Sequence, residues 1–217
     1  MQDDVFKKEE ADKWFERNKE GLKPKADLIL KAIRDYNLIC KNSKVLEVGA
    51  SNGYRLAKIH EEFGSEVHAI EPSKEAIKDG KSKWSFINFY QNTLAEFNER
   101  EHTSGFDLII VNSVLHWIDR STLLLSVAKI DTMLRWGGHL ILGDFQTQIP
   151  LKRKYHHKEG LYTYKQRYKD IFTSTNLYIE LMTLAYNHDD KSLSNININN
   201  FFSVSLLRKQ ELYIETP

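Results

Sequence analysis

The chain has 217 residues, of which 41% are hydrophobic and 28% charged, a composition that is ordinary for a globular protein with a buried core. A net charge of +1 excludes a global field that would attract nucleic acid or an anionic membrane. The single cysteine, Cys40, excludes an internal disulfide framework, and neither a signal peptide nor a membrane-spanning run is visible, so we expect a cytoplasmic protein.

Residues 6–40 predict two helices, and we expect the N-terminal segment to form a helical cap. The first helix carries Ala11, Trp14 and Phe15, and the second follows Pro24. An amphipathic helix that packs its aromatic residues on a sheet explains this pattern. Folding of the cap over a bound ligand is a second interpretation.

A strand, a glycine turn and a helix follow in close succession. Residues 45–48 form an apolar strand that contains Glu47, Gly49 and Gly53 bracket a tight turn, and an amphipathic helix runs over 53–63. Such a unit brings backbone N–H groups and a helix N-terminus to a ligand at the edge of a parallel sheet. Glycine is needed where a Cβ would block close approach or forbid the dihedral angles of the turn.

The spacing of these glycines indicates a nucleotide-type cofactor other than a dinucleotide. A G-x-G-x-x-G fingerprint counted from Gly49 requires glycines at positions 51 and 54, where the chain has Ser51 and Tyr54. Glu47, two residues before the first glycine, is also foreign to that fingerprint. An ordinary strand-turn-helix connection with two structural glycines is the alternative interpretation.

A second acidic residue follows the next apolar strand. Residues 66–70 read as that strand, and Glu71 comes directly after it, ahead of Pro72. A carboxylate at this place, some twenty residues beyond the glycine turn, can accept hydrogen bonds from two ribose hydroxyls at once. A solvated surface acid is the alternative interpretation.

Together these residues resemble class I S-adenosylmethionine-dependent methyltransferases. The first motif of that family is (Asp/Glu)-x-Gly-x-Gly-x-Gly, which the chain matches from Glu47 with Ser51 in place of the middle glycine. The resemblance implies that Glu47 lies near the amino-acid end of the cofactor and that Glu71 binds its ribose. It implies S-adenosyl-L-methionine as the cofactor, with contacts from Glu47, Gly49, Ala50, Ser51, Gly53, Glu71, Pro72, Asn92, Thr93, Asn112 and Ser113.

Strand and helix patterns alternate through the middle of the chain, which predicts βαβ units and a parallel sheet covered on both faces. We predict strands at 44–48, 66–70, 85–90, 106–111 and 138–144, with helices at 53–63, 73–82, 94–99 and 120–135. Gly137 and Gly138 are expected to end the last of these helices. Downstream we predict a helix from Tyr164 to Phe172 and strands at about 177–187 and 201–209, separated by a polar loop from Asp189 to Asn200.

The predicted fold class is α/β, with a Rossmann-like sheet, helices on both faces and an N-terminal helical cap. The resemblance implies a seven-stranded, mostly parallel sheet whose last strand is antiparallel. We expect a single methyltransferase domain over residues 1–217. Its expected segments are a helical cap at 1–40, a cofactor-binding core at 41–145, a substrate-side insertion at 146–176 and a terminal strand pair at 177–217.

Two loops at the predicted ligand edge carry further candidates. The resemblance places Asn92 near the adenine amino group, and a helix N-cap formed by Asn92 or Thr93 is the alternative. After the fourth strand, a Leu-His-Trp stretch resembles small-molecule methyltransferases, and it differs from the Asn-Pro-Pro-Tyr type that methylates base or glutamine amides. Within it, His116 is a candidate catalytic residue, or else a wall or core residue beside Trp117.

The segment 151–165 is unusually rich in cations, tyrosines and histidines. A long connection at this place is often a lid or a binding loop, and its cations suggest an anionic substrate, although solvated surface charge is the alternative. His156 and His157 are candidates for a general base because histidine titrates near neutrality. No matching cysteine or acidic cluster accompanies them, so we expect no metal.

These features predict an S-adenosylmethionine-dependent methyltransferase that acts on a small acceptor, anionic or sugar-like, by O- or N-methylation. We expect no nucleic acid and no membrane as a partner. A non-catalytic cofactor-binding partner subunit and a nicotinamide-dependent Rossmann oxidoreductase are the alternative functions.

Overall fold

The computed structural model describes residues 1–193, 197 and 199–211. Its strands are β1 (Lys44–Val48), β2 (Glu66–Ile70), β3 (Asn88–Tyr90), β4 (Phe106–Asn112), β5 (Leu134–Phe145), β6 (Leu151–Lys154), β7 (Tyr162–Lys165), β8 (Tyr178–Asn187) and β9 (Phe201–Lys209). Its α-helices are α1 (Gln2–Val5), α2 (Ala11–Asn18), α3 (Leu28–Asp35), α4 (Tyr54–Phe63), α5 (Lys74–Lys83), α6 (Leu123–Met133) and α7 (Tyr168–Thr173). A π-helical turn at Phe6–Glu10 joins α1 to α2, and 3-10 turns lie at Lys19–Gly21 and Glu99–His102.

Seven of the described strands form one sheet in the order β3-β2-β1-β4-β5-β9-β8. Strands β1 to β5 pair in parallel, whereas β9 pairs antiparallel with both β5 and β8. This confirms the predicted seven-stranded, mostly parallel sheet with an antiparallel last strand. Strands β2 and β3 extend the sheet to one side of β1, and β4 and β5 extend it to the other. That reversal opens a crevice at the carboxyl end of β1.

The central strand β4 is buried on both faces, and it shows how the core is divided. Successive side chains of a strand point to opposite faces of the sheet. Leu108 and Ile110 accordingly pack with α3 and α4, whereas Ile109 and Val111 pack with α6 and α7. All four side chains are fully buried. Helices therefore cover both faces, as the alternating pattern predicted.

The N-terminal segment is helical, as expected, and its first helix begins earlier than the pattern indicated. The chain is helical from Gln2 to Asn18 through the π-helical turn. The Asp27 carboxylate caps α3 by accepting a hydrogen bond from the Leu30 N–H at 2.8 Å. Leu30 and Ile33 are fully buried against the sheet.

The helix predicted at 94–99 is wrong. The chain forms turns there, in which the N–H groups of Glu96 and Phe97 donate to the carbonyl of Thr93. Leu94 and Phe97 are buried in the core, so their three-residue spacing imitates a helical face.

The helix predicted at 120–135 is shorter at both ends than expected. Helix α6 ends one residue before Leu134, where β5 begins, so Gly137 and Gly138 lie within a strand and do not end a helix. Leu134 is fully buried and pairs with Phe106 of β4 through an irregular register. Pairing with β4 thus starts before the glycines, because a buried leucine is available to begin it.

The segment predicted to be a substrate-side insertion contains a two-stranded antiparallel sheet of β6 and β7, hereafter the hairpin (residues 151–165). The helix predicted from Tyr164 is wrong over its first residues, because α7 begins at Tyr168. Tyr155 and Leu161 are buried, and the Tyr155 N–H donates to the Leu161 carbonyl at 2.9 Å. Burial of these two side chains favours a paired hairpin over a loose loop.

Strands β8 and β9 confirm the strands predicted at 177–187 and 201–209. The polar loop predicted between them falls partly on residues 194–196 and 198, and the terminal segment ends with 212–217; these residues lie outside the described ones. The boundaries of the cap, core and insertion stay predictions. In the described part of the chain, no helix combines the length and the apolar character needed to cross a membrane.

Candidate active site

A cavity of about 740 Å³ lies in the crevice at the carboxyl end of β1. This volume is within the range of small-molecule and cofactor sites. Ten of the eleven residues predicted to bind the cofactor line it: Glu47, Gly49, Ala50, Ser51, Glu71, Pro72, Asn92, Thr93, Asn112 and Ser113. Gly53 is not among the described lining residues. The candidate catalytic residues His116, His156 and His157 line the same cavity.

The glycine turn has the left-handed backbone that its sequence predicted. Gly49 has φ +66°, and a Cβ there would lie 2.5 Å from Val114 Cγ2 in the loop after β4. Gly53 has φ +79°, and its Cβ would lie 2.8 Å from Ile87 Cδ1. Because Gly49 has no Cβ, the loop after β4 can approach it closely. Gly53 instead packs against the side chains of Ile87 and Phe89.

Ser51 occupies the position of the family's middle glycine and keeps a glycine-like backbone. Its φ of +52° lies in the left-handed region, which costs a non-glycine residue on the order of 1–2 kcal/mol. The Ser51 N–H donates to Glu71 Oε2 at 2.7 Å, and this bond holds the strained residue in place. The serine therefore departs from the motif in its side chain and not in its conformation.

Glu71 joins the ends of β1 and β2. Its two carboxylate oxygens accept hydrogen bonds from the N–H groups of Ser51 at 2.7 Å and Ser73 at 2.8 Å. Burial raises its pKa to about 7, and these two N–H groups oppose that rise. A carboxylate has about four acceptor sites, so two remain for hydroxyl groups of a ligand. The role of Glu71 in holding the turn was missed by sequence reasoning.

Glu47 is buried beside Arg55, a partner that sequence reasoning missed. The Arg55 guanidinium donates to Glu47 Oε1 and, at 2.7 Å, to Asp27 Oδ2. Burial raises the pKa of Glu47 to about 7, against the pull of Arg55. Glu47 Oε2 is buried and has no hydrogen-bond partner among the described residues. The position of Arg55 in the first turn of α4, eight residues after Glu47, was the available signal.

The cavity residues fit S-adenosylmethionine by an independent observation. Glu47 Oε2 and Ser51 Oγ are both buried, both belong to lining residues, and both lack a partner in the described structure. Unpaired buried polar atoms are costly and rare unless a ligand satisfies them. An ammonium group can donate to the carboxylate of Glu47, and ribose hydroxyls can donate to that of Glu71. Leu94 and Ala95 add apolar lining beside Asn92.

The loops after β3 and β4 hold the remaining predicted contacts. Asn92 lines the cavity, and the alternative role of Asn92 or Thr93 as a helix cap is wrong because residues 94–98 are not helical. The Ser113 N–H donates to the Gly143 carbonyl at 2.7 Å. A Cβ on Gly143 would collide with the side chain of Asn112, so this glycine makes room for it.

His116 lies in the loop after β4 and is buried next to the end of β5. Its Nδ1 is 2.8 Å from Asp144 Oδ1. The ring packs between Trp117, at a centroid distance of 4.8 Å, and Phe145, at 5.1 Å. Asp144, which sequence reasoning missed, is also buried. His116 and Asp144 therefore form a buried, hydrogen-bonded pair of an imidazole and a carboxyl group.

His156 and His157 lie in the turn of the hairpin and are exposed. Their rings contact each other in a tilted arrangement with a centroid distance of 4.2 Å, and the edge of one ring meets the face of the other between Tyr155 and His157 at 5.2 Å. The described residues offer neither imidazole a hydrogen-bonding acid. They therefore line the cavity without a group that would orient them.

The cap and the hairpin are joined by a buried cluster. Arg17 Nη2 donates to the Tyr155 hydroxyl at 2.8 Å and to Glu10 Oε1 at 2.5 Å, and the Tyr155 hydroxyl donates to Glu10 Oε1 at 3.0 Å. Burial and Glu10 raise the pKa of Tyr155 to about 12. Gln2 Nε2 donates to the carbonyls of Trp117 and Tyr162. The N-terminal segment thus joins the hairpin and the loop after β4, and Arg17, Trp117 and Tyr155 of these segments line the cavity.

Comparisons with known proteins agree with this geometry. A family model described as "Methyltransferase domain" matches residues 39–193, more than half of the chain. A search of the curated proteins finds no match. Among the described residues, no cluster of three or more histidine, cysteine or acidic residues could hold a metal ion.

Solved structures of methyltransferases share the fold. The 1,6-didemethyltoxoflavin-N1-methyltransferase of Burkholderia thailandensis, crystallised with 1,6-didemethyltoxoflavin and S-adenosylhomocysteine, has a TM-score of 0.63 and 15% identity, over 82% of this chain and 75% of that one. The N-methyltransferase NodS of Bradyrhizobium japonicum WM9, in complex with S-adenosylhomocysteine, has a TM-score of 0.59 and 19% identity, over 93% of this chain and 99% of that one. The chain therefore belongs to the class I S-adenosylmethionine-dependent methyltransferases, enzymes that use S-adenosylmethionine as the methyl donor.

Proposed function

We propose that this enzyme methylates a small anionic acceptor that carries a carboxylate or a phosphate group, sugar phosphates included. The observation that carries the proposal is a group of cations at the end of the cavity closed by the hairpin. Arg153, Lys154 and Lys165 line the cavity, and none of them has a carboxylate within ion-pair distance in the described structure. Asp189 lines the same cavity and opposes the shift in the pKa of Lys165, but among the described residues it forms no ion pair with these cations, so an anionic acceptor would supply a close counter-charge.

Three neighbouring cations that do not line the cavity are paired with carboxylates. Lys158 pairs with Glu9 at 2.5 Å, and Arg167 and Lys169 pair with carboxylates at 2.7 and 2.8 Å. Lys152, which also lies outside the cavity, has no carboxylate partner in the described structure, and its amine lies 3.8 Å from the ring centroid of Tyr162. Solvated surface charge stays the alternative interpretation for the exposed Arg153 and Lys154, whereas Lys165 is buried and does not fit it.

Lys165 is the most buried of the three cations. Its amine donates a hydrogen bond to the Asn199 carbonyl and lies 4.0 Å from the ring centroid of Phe145. Burial lowers its pKa to about 8, and the nearby Arg153 contributes to the shift. A bound anion would favour the charged amine. Anion affinity is therefore expected to fall as pH rises through about 8.

The experiment follows a tritium-labelled methyl group from S-adenosylmethionine into a small-molecule extract of the source organism. We expect labelled product in the fraction that binds an anion-exchange resin. The similarity in fold to methyltransferases named for small acceptors supports the choice of such an extract. Product found only in the neutral or cationic fraction would contradict the proposal.

A pair of matched variants tests the role of the cations. Lys165→Met should raise the KM for the anionic fraction roughly tenfold or more and leave S-adenosylhomocysteine affinity within about twofold, because hydrogen bonds to charged groups contribute about 1.5–3 kcal/mol. Lys158→Met, on the same hairpin but paired with Glu9, is the control and should leave KM unchanged. Equal effects of the two substitutions would remove Lys165 from the acceptor site.

A further inference from the structure

The strands β4 and β5 bring an imidazole and a carboxylate together at the acceptor side of the cavity. His116 follows β4, Asp144 lies near the end of β5, and Nδ1 of the imidazole is 2.8 Å from Oδ1 of the carboxylate. Asp144 is held by two further hydrogen bonds, because the Phe145 N–H donates to Oδ1 at 2.7 Å and the His116 N–H donates to Oδ2 at 3.4 Å. The acid is therefore fixed in one orientation.

This arrangement determines which ring nitrogen of His116 carries the proton. An ionised carboxylate only accepts hydrogen bonds, so Nδ1 must be the donor and Nε2 of the neutral ring is left as an acceptor. The described residues give Nε2 no hydrogen-bond partner, and His116 lines the cavity. The lone pair of Nε2 is thus available to a group bound in the cavity.

The charged and titratable groups around His116 come from several elements. Asp144 of β5 contacts it directly, and the His188 imidazole after β8 lies at 5.1 Å from the Phe145 ring that also packs on His116. Burial lowers the pKa of His188. The amine of Lys165 lies over the same Phe145 ring, and Tyr168 of α7 lies near enough to Asp144 to interact electrostatically. Asp144 is the only one of these groups with a hydrogen bond to the His116 ring in the described structure.

We propose that His116 is the general base of the methyl transfer, that Asp144 is its positioning residue, and that the acceptor nucleophile is a hydroxyl group on the anionic acceptor. As the acceptor oxygen forms its bond to the methyl carbon, its proton moves to Nε2. The bond between sulfur and the methyl carbon breaks, and its electron pair stays on sulfur, which becomes a neutral thioether. The imidazolium then releases the proton to water.

The pair of His116 and Asp144 is suited to an acceptor whose nucleophile is a hydroxyl group. A neutral amine already has a free electron pair and can lose its proton after the transfer, whereas a hydroxyl benefits from losing it during the transfer. His156 and His157 also line the cavity, but they are exposed and lack an orienting acid. The inference rests on the proposed methyl transfer to an anionic acceptor, and it identifies the methylated atom as a hydroxyl oxygen of that acceptor.

The first test needs no acceptor. Nitrogen NMR of histidine-labelled protein in complex with S-adenosylhomocysteine should show His116 as the Nδ1–H tautomer at about pH 7.5, and Asp144→Asn should change that tautomer or its chemical shift. An Nε2–H tautomer in the wild-type complex would overturn the proposal. His116→Gln identifies the resonance, and thermal unfolding establishes that the variant is folded.

The second test uses the anionic fraction of the extract and tritium-labelled S-adenosylmethionine. His116→Gln should lower kcat roughly 100-fold or more, as expected for loss of a general base, and should remove the rise of kcat with pH, while S-adenosylhomocysteine affinity stays within about twofold. Asp144→Asn should lower kcat less and shift the pH profile. His139→Gln, in the middle of β5 and outside the described cavity lining, is the control and should leave kcat unchanged.

The outcomes separate this proposal from the one on which it rests. Transfer to the anionic fraction with full kcat in a folded His116→Gln variant would overturn the base and leave the proposed function standing. Label that appears only in a neutral fraction would overturn the anionic acceptor, and loss of that transfer in His116→Gln would still support the base. Loss of kcat in a His156→Gln/His157→Gln double variant, with His116→Gln fully active, would assign the base to the hairpin.

Discussion

Replacing Glu71 by glutamine tests how the buried carboxylate between β1 and β2 is ionised. Glu71 is 7% exposed, and it accepts hydrogen bonds from the N–H groups of Ser51 and Ser73. No cation is among the groups that shift its pKa, and burial raises that pKa from 4.5 to about 7. Glutamine has nearly the same shape and cannot ionise, so the pH dependence that differs between the two proteins reports on Glu71 alone.

The sign and the size of the effect follow from linkage. A carboxyl group whose pKa is raised on folding contributes stability that is complete below its unfolded pKa and is lost as pH rises through its folded pKa. The full contribution for a shift from 4.5 to 7 is about 3.4 kcal/mol at about 1.36 kcal/mol per unit. Of this, about 2 kcal/mol falls between about pH 5.5 and about pH 8. The stability of the wild type relative to Glu71→Gln should decrease by that amount across the interval.

Urea unfolding of both proteins at several pH values measures this difference. A constant difference in unfolding free energy between them is expected as well, because the NH2 group of glutamine cannot accept a hydrogen bond from the N–H donor that it faces. That difference does not depend on pH. Glu159→Gln, which replaces an exposed carboxylate in the hairpin, is the control and should show no pH-dependent difference. If the free energies of wild type and Glu71→Gln stay parallel from pH 5.5 to 8, the carboxylate is ionised throughout and the argument from burial is wrong.

Two other substitutions test the turn and the closure of the cavity. Gly49→Ala places a Cβ at φ +66° and 2.5 Å from a valine side chain, so unfolding free energy should fall by roughly 2–4 kcal/mol and S-adenosylhomocysteine affinity at least tenfold in calorimetry. Gly160→Ala, at φ +82° with no atom within 4 Å, controls for backbone strain alone; an equal loss would show that the close approach is unimportant. Tyr155→Phe removes the hydroxyl that joins cap and hairpin, and urea unfolding should show a loss of about 1.5–3 kcal/mol. Tyr162→Phe is its control within the same hairpin. If the two variants have the same free energy of unfolding, the Tyr155 hydroxyl does not stabilise the contact between cap and hairpin.

The parts of the fold that were predicted correctly depend on long patterns or on short-range rules. Strand β4 is apolar at almost every position because it is buried on both faces, and this pattern has few alternatives. The glycine turn was predictable because Gly49 and Gly53 sit at positive φ, where few other residues are stable. The segment 94–99 failed for the opposite reason. Two buried residues three apart satisfy a helical face and a folded turn equally well.

The candidate site also contains residues that the sequence predicted and contacts that it did not. Glu47 and Glu71 each follow from their place at the end of an apolar strand, so the sequence predicted where they lie. Asp144 contacts His116 across 28 positions, and Glu10 contacts Tyr155 across 145. Such pairings depend on which strands become neighbours and on how the hairpin docks, and a single sequence contains no periodicity that encodes them. The unusual composition of their segment made His156 and His157 candidates for the base, whereas orientation by a buried acid favours His116.

The two halves of the cavity are stabilised by different kinds of contact, and this explains why the cofactor was easier to infer than the acceptor. On the cofactor side, Glu71 holds the glycine turn through backbone N–H groups within the βαβ units of the family. On the acceptor side, side chains from the cap, the loop after β4 and the hairpin meet: Gln2 joins Trp117 to Tyr162, and Glu10 joins α2 to Tyr155. Substitutions in those segments can change the acceptor without disturbing Glu47 and Glu71, the carboxylates that we propose bind the cofactor. The chemistry of the acceptor therefore has to be argued from the charges and the oriented imidazole that these contacts bring together.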